Sequence, residues 1–307
     1  MRVLVLGGAG FIGRHAAAAL AARGHAVVIG TRRPRRRLPR LVLGYEVLET
    51  HLERLATRGE WHVLLAGFHA VVNAVGILRN RGAETYERVH HVAPAALAAA
   101  CALAGRRLVH VSALGLSPDA RSGFLTSKLA GERAVIASGA DYSIVRPSLL
   151  EGPGGFGARW LEVLGRLPIH FIPADAVGRI AVMDVRDLGT AIAYLCERRA
   201  ENCREVELGG ETPLTMAGYL AKIRARNGAA PALQLRVPAW LARIVSHACD
   251  LVHFSPFSFG HLELMRWDNV PRPGLFLRRI PELVEPAPVA LRRPAFQGGR
   301  RFGAPAA

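Results

Sequence analysis

Three glycines, Gly7, Gly10 and Gly13, stand in "VLVLGGAGFIGRH", directly after an apolar run and at the start of an alanine-rich one. A strand–turn–helix unit that receives a pyrophosphate needs this placement. The first glycine allows the tight turn, the second leaves room for the phosphates, and the third lets helix and strand pack closely. Amides at the helix start, those of Phe11, Ile12 and Gly13, would face the anion. A lone glycine triplet is weak evidence, but one between a strand and a helix specifies a dinucleotide site. The next strand candidate ends in "VVIGTRRP". An acid there would accept ribose hydroxyls, whereas an arginine accommodates an additional phosphate. Thr31, Arg32 and Arg33 offer no carboxylate, which favours NADP(H) over NAD(H).

The elements that must position these residues alternate along the chain. Strand patterns at Val3–Leu6, Ala26–Ile29, "YEVLE", "HAVVNAVG", "RRLVHVSA" and "YSIVRPS" are separated by helical patterns, among them Phe11–Arg23, Tyr86–Ala104 and Leu125–Ser138. The expected class is α/β: a doubly wound parallel sheet (Rossmann) over residues 1–150. A smaller C-terminal α/β lobe follows over 151–285, opened by the glycine-dense "EGPGGFG", and some of its strands can rejoin the main sheet. Asp187 is expected to cap the helix "LGTAIAYLCERR", and Thr215 the helix "MAGYLAKIRAR". From Pro238, the residues Trp240, Leu241, Ile244, Val245, Ala248, Leu251 and Val252 share one helical face. Packing on the domain is the expected use of that stripe, with a membrane or partner surface as the alternative. Residues 286–307 read as a poorly ordered basic tail.

The formal charge is +16, and 38 of the 40 basic residues are arginine. Part of this excess accompanies the high alanine content and needs no function. Two stretches are denser: "TRRPRRRLPR" has six arginines without an acid, and the segment from Val270 has seven against Glu282 and Glu285. Arg35 to Arg37 have no assigned role. A basic field attracts nucleic acid, acidic protein surfaces or anionic lipid. Nucleic acid ranks last, because the clusters lack interleaved aromatics and a recognition motif. Four separated cysteines, Cys101, Cys196, Cys203 and Cys249, lack metal-ligand spacing, and no disulfide framework is expected in a chain of this size. No run of eighteen uncharged apolar residues predicts a membrane-spanning helix. The expected location is cytoplasmic, with docking on the inner face of a membrane left open.

"GGAGFIGRH", "VVNAVGIL", "VHVSALG", "SKLAGE", "IVRPS" and "LGG", in this order, resemble the atypical short-chain dehydrogenase/reductase superfamily. More closely they resemble the branch related to the NAD(P)H-binding accessory subunit of respiratory complex I. The similarity covers residues 1 to 225 and thins afterwards to fragments such as "RWDN". It implies that Gly7, Gly10, Phe11, Ile12 and Gly13 form the dinucleotide fingerprint and that Arg32 follows the second strand as in that branch. Asn73, Ala74 and Gly76 would end the fourth strand beside the cofactor. Ser112 would help to orient a substrate carbonyl, and Lys128 would bind the nicotinamide ribose. Arg146, Pro147 and Ser148 would form the turn near the nicotinamide. His51 replaces the aspartate that many relatives place near the adenine.

The resemblance also implies a catalytic tyrosine four residues before Lys128, where this chain has Phe124. Phenylalanine keeps the ring but carries no exchangeable proton. Losing a positioned acid costs roughly 10²- to 10⁴-fold in rate. Thr126 and Ser127 face elsewhere on the same helix, and Tyr86 and Tyr142 belong to other elements. His110, two residues before Ser112, could point the same way as that serine. The expectation is a protein that holds NADP(H) without ordinary dehydrogenase turnover, in a structural, sensing or assembly role, possible at a membrane-associated complex. A reductase or epimerase recruiting another acid is the alternative.

Overall fold

The computed structural model describes residues 1–32, 38–197, 204–252 and 257–272. Six strands are laid down in the first half: β1 (Arg2–Leu6), β2 (Ala26–Thr31), β3 (Glu46–Glu49), β4 (Ala70–Asn73), β5 (Arg107–Val111) and β6 (Tyr142–Pro147). Their cores are runs of valine, leucine and isoleucine rather than alternating patterns, because helices cover both faces of the sheet. On one face lie α1 (Phe11–Ala22) and α6 (Val185–Glu197), which meet through Ala16, Leu20, Leu188 and Ile192. On the other lie α2 (Arg58–Leu64), α3 (Ala93–Ala104) and α4 (Gly123–Ala137), around Trp61, Leu97 and Val135.

After β6 come β7 (Leu150–Glu151), α5 (Phe156–Arg166), β8 (Ile169–Pro173), β9 (Arg179–Ile180) and β10 (Met183–Asp184). The chain then runs through α6 into β11 (Glu205–Leu208), which adds to the main sheet beside β6. The seven strands are parallel in the order β11-β6-β5-β4-β1-β2-β3. The chain reverses direction across the sheet between β1 and β4, so a crevice forms at their C-terminal ends. Leu6 pairs there with Asn73, one residue before Gly7.

The smaller lobe is completed by β12 (Leu214–Thr215), α7 (Met216–Arg226), β13 (Leu233–Val237), α8 (Ala239–Val252) and α9 (Phe259–Leu264). β7 pairs with β10, β8 with β13, and β9 with β12. Ile172, Ile180, Tyr219, Leu220 and Ile223 form its own small core. The Thr215 side chain caps α7 by accepting the Gly218 amide at 3.1 Å.

Three local features differ from the sequence expectations. The long helix from Tyr86 opens with a wide π-helical turn over Glu87–Val92. It runs against α4 so closely that a Cβ on Gly131 would overlap the His90 carbonyl oxygen. Asp187 does not cap α6; the helix begins at Val185, and Asp184 accepts the Arg186 amide at 2.7 Å. The apolar stripe of α8 does not pack inward. The helix approaches the protein through its small residues Ala242 and Ser246, while Trp240 is 65% exposed and Ile244 58%. Periodicity marks which face of a helix is apolar, and small side chains on the opposite face allowed the closer approach here. The tail from 286 lies outside the described residues.

Candidate functional site

The crevice between β1 and β4 is built from backbone. Gly7 sits at φ +73°, a conformation that L side chains rarely adopt. Its amide donates to the Gly30 carbonyl at 2.9 Å, and the Gly10 amide donates to the Gly7 carbonyl at 2.7 Å. A Cβ at Gly13 would overlap that same Gly7 carbonyl oxygen, so α1 rests directly on the turn. α1 starts at Phe11 with Gly10 as its N-cap and no side-chain cap. Its first-turn amides therefore lack intrahelical partners and, with the helix dipole, can hold an anion. The "EGPGGFG" loop closes over this end, with Arg14 donating to the Gly154 carbonyl at 2.7 Å.

At the end of β2, Thr31 is buried and the exposed Arg32 forms an ion pair with Glu84. Arg33 and Arg35 to Arg37 lie outside the described residues. His51 sits between two carboxylates, 3.0 Å from Glu49 and 3.2 Å from Glu53. The acid expected near the adenine is thus replaced by a histidine that gathers acids from either side.

On the opposite side of the crevice, Asn73 is fully buried. Its Oδ1 accepts the Val75 amide at 3.2 Å, and its Nδ2 donates to His110 Nδ1 at 3.1 Å. The Ala74 amide donates to the Leu6 carbonyl at 3.0 Å, tying β4 to β1. Gly76 faces the imidazole of His90. Ser112, just past β5, is buried, and its hydroxyl has no hydrogen-bond partner. Leaving such a group unsatisfied costs about 1–3 kcal/mol, which a bound ligand's hydroxyl or carbonyl would offset. Burial pulls the Lys128 ammonium down to about 8, with Glu132 opposing the shift. The uncapped amides, the orphaned serine hydroxyl and this lysine fit a nicotinamide dinucleotide. The amides would face its pyrophosphate and the lysine its ribose, with the serine hydroxyl left for a bound carbonyl.

The side chains of two of the residues expected near the nicotinamide brace the fold. Arg146 donates to Glu132 at 2.6 Å and pairs with Glu205 at 2.8 Å, bracing α4 and β11 against β6. Its guanidinium is held charged by both carboxylates despite the cost of burial. Ser148 donates to the Asn269 carbonyl at 2.6 Å and accepts the Ala181 amide at 3.0 Å. Pro147 contributes its carbonyl to the Leu114 amide at 3.0 Å. Asn269 is the last residue of "RWDN", so that fragment is the strap that fastens the small lobe to β6.

Phe124 lies in the first turn of α4 and is only 8% exposed. His261 of α9 stacks on its ring at 5.6 Å, with the planes 25° apart. Tyr86 and His90 meet it edge-on at 5.8 and 5.6 Å, and the Lys128 ammonium lies 5.7 Å from its centre. A Cβ on Gly260 would come within 3.1 Å of Phe124, so α9 is seated as closely as glycine permits. Glu263 locks the arrangement by accepting the Arg121 and Ser122 amides at 2.7 and 2.9 Å, at the open end of α4.

Apart from Lys128, none of the neighbours carries a proton suited to the missing phenol's task. Tyr86 donates its hydroxyl to the Leu78 carbonyl at 2.7 Å, and burial raises it to about 12. Tyr142 belongs to the core beneath the sheet. His90 accepts the Ile77 amide and bonds Ser127, so both of its nitrogens are engaged. Burial drives His110 to about 3 and His261 to about 4, which keeps both neutral. His90, His261, Gly260 and Glu263 had no signal in the sequence, because the resemblance had thinned before α9 and His90 lies outside its motifs. A cavity of about 510 Å³ opens beside Phe124, between Tyr86, His247, Asp250 and Phe259, and neither Ser112 nor Lys128 lines it.

Residues 7–183 match the NAD(P)H-binding family. The chain belongs to that family. A Caulobacter vibrioides protein named ceramide reductase is 30% identical over 199 residues, covering 63% of this chain. This chain spans 60% of that relative's length. Among solved structures, MoeE5 in complex with UDP-glucuronic acid and NAD is similar, with a TM-score of 0.62 and 23% identity over 78% of this chain and 86% of that one. So is a UDP-glucose 4-epimerase of Thermus thermophilus in complex with NAD, with a TM-score of 0.59 and 20% identity over the same shares, 78% and 86%. This NAD(P)H-binding chain therefore has the Rossmann fold of the epimerase and dehydratase group. Among the described residues no helix is long and apolar enough to cross a membrane, and no cluster could hold a metal ion.

Proposed function

We propose that this member of the NAD(P)H-binding family holds NADP(H) without ordinary dehydrogenase turnover. The observation that carries the reading is the enclosure of Phe124. The position of the expected phenol is filled by a ring packed between His261, Tyr86 and His90, and stapled by α9. When bound, the cofactor would supply a hydride. Apart from Lys128, the ribose ligand on this reading, no side chain around Phe124 is placed to exchange the accompanying proton. Lys128 and Ser112 keep their binding uses, which do not depend on the acid. The preference for NADP(H) rests on Arg32 and Arg33 at the end of β2. Kinship with the complex I accessory-subunit branch rests on the sequence motifs, and agrees with binding in an assembly or sensing role.

One observation favours a second reading. The cavity beside Phe124 is large enough for part of a substrate, and the Caulobacter relative is named for reduction of a lipid. On that reading Lys128, at about 8, is the remaining group able to give a proton near neutral pH.

The two readings separate in one comparison. NADPH and NADH affinities are measured by fluorescence, then NADPH oxidation is followed over a panel of ketones, lipid ketones included. Holding predicts NADPH binding without turnover, and a gain of roughly 10²-fold or more in Phe124→Tyr if the rest of the site is intact. Turnover by the unmodified protein that disappears in Lys128→Met under saturating NADPH would establish the second reading instead.

A further inference from the structure

The outward face of the small lobe is apolar over two consecutive elements. In the β8–β13 ribbon, Ile169 pairs with Leu233 and Phe171 with Leu235, so all four side chains point to one side. All four are exposed. β13 passes through Pro238 directly into α8, where Trp240, Leu241, Ile244 and Val245 are exposed on one side of the helix. Large apolar side chains left outward in this number mark a binding face.

Charge argues for what covers it. From Leu214 to Val252 the chain carries Lys222, Arg224, Arg226, Arg236 and Arg243, with Asp250 as the one acid. Arg226 is paired with Glu151 and Glu162 and Arg224 is bonded to backbone carbonyls, so Lys222, Arg236 and Arg243 carry the surplus. The exposed Arg243 lies one turn from Trp240 and lines a cavity of about 350 Å³ with Arg121, Arg266 and the exposed Trp267. The acids that share this cavity are Asp119 and Glu263, and Glu263 is occupied at the start of α4. Tryptophan and arginine beside an aliphatic stripe are the chemistry of a membrane interface, where rings sit at headgroup level and arginines meet phosphates. An acidic protein surface would also answer the arginines; the aliphatic stripe flanked by tryptophan is what favours a bilayer.

We infer that the chain docks on anionic lipid bilayers through α8, with its apolar side in the acyl boundary and Arg243 at the phosphates. The adjoining edge of the same helix, through Arg243 over the Phe259 ring, His247 and Asp250, walls the cavity beside Phe124. Docking would therefore set that cavity next to the lipid headgroups. The inference holds whether or not the site turns over.

The test is flotation of the full chain with vesicles of phosphatidylglycerol and phosphatidylcholine in equal parts, against vesicles of phosphatidylcholine alone. Co-flotation with the anionic vesicles is expected. In the triple variant Trp240→Gln, Ile244→Gln, Val245→Gln the bound fraction should fall at least tenfold, with NADPH affinity and circular dichroism unchanged. Arg243→Gln should weaken binding to the anionic vesicles alone. The inference is overturned if the unmodified protein stays with the unbound fraction, or if the triple variant floats as well as the parent. It is also overturned if light scattering finds a dimer that the triple variant dissolves while vesicles bind neither form. That result would assign the face to a second copy of the chain.

Discussion

At single residues, the site turns on whether a side chain is present or missing at a few backbone positions. Gly13 has no room for a methyl group, because the Gly7 carbonyl oxygen occupies that space. Gly13→Ala is expected to lower the affinity for NADPH at least tenfold and to destabilise the fold by about 1–3 kcal/mol, read by fluorescence titration and urea denaturation. Phe124 exerts a different control. Its ring organises three aromatic neighbours and a lysine but has no proton to give. The stacked His261 makes the cluster sensitive to acid. In the unfolded chain its imidazole protonates near 6.5, whereas in the fold burial and Arg79 hold it to about 4, with Asp250 opposing. Between those values the unfolded state binds the extra proton. Stability present above pH 6.5 is therefore lost as the pH falls toward 4, at up to about 1.4 kcal/mol per pH unit for this group. His261→Phe should flatten that part of the profile in denaturation curves taken across the range.

At the scale of elements, the parts legible in the sequence were those governed by local rules. The glycine turn, the apolar parallel strands and the Thr215 cap each need only a few neighbouring residues, and each is present. What packs on what was less legible. Arg146 was assigned to the nicotinamide turn by the family's motif, and no local signal showed that its side chain reaches across to Glu132 of α4 and Glu205 of β11. That brace depends on β11 returning to the sheet, a pairing between residues about sixty positions apart that no local pattern encodes. Glu132 is almost wholly buried, so Glu132→Ala would leave Arg146 with Glu205 alone. A loss of about 3 kcal/mol is expected in urea denaturation, with α4 loosened and NADPH bound more weakly through Lys128. α8 shows the same limit from the other side. Its stripe was readable, but whether anything covers the stripe depends on the small residues Ala242 and Ser246 opposite.

Across the whole molecule, two halves with different tasks share one wall. The sheet domain provides the dinucleotide crevice at the ends of β1 and β4. The small lobe, tied to it by Asn269 and Glu263, brings α9 onto Phe124 and leaves α8 facing outward. The +16 charge fits this division, since arginines on the nucleotide side and on the outward side would both meet phosphates. The central claim is that the joined halves retain the cofactor without ordinary turnover. It is tested most directly by mixing the protein with one equivalent of NADPH and an excess of the ketone panel, and following the cofactor's absorbance. The account predicts that bound NADPH persists with the unmodified protein and is consumed with Phe124→Tyr. Rapid oxidation by the unmodified protein would contradict it.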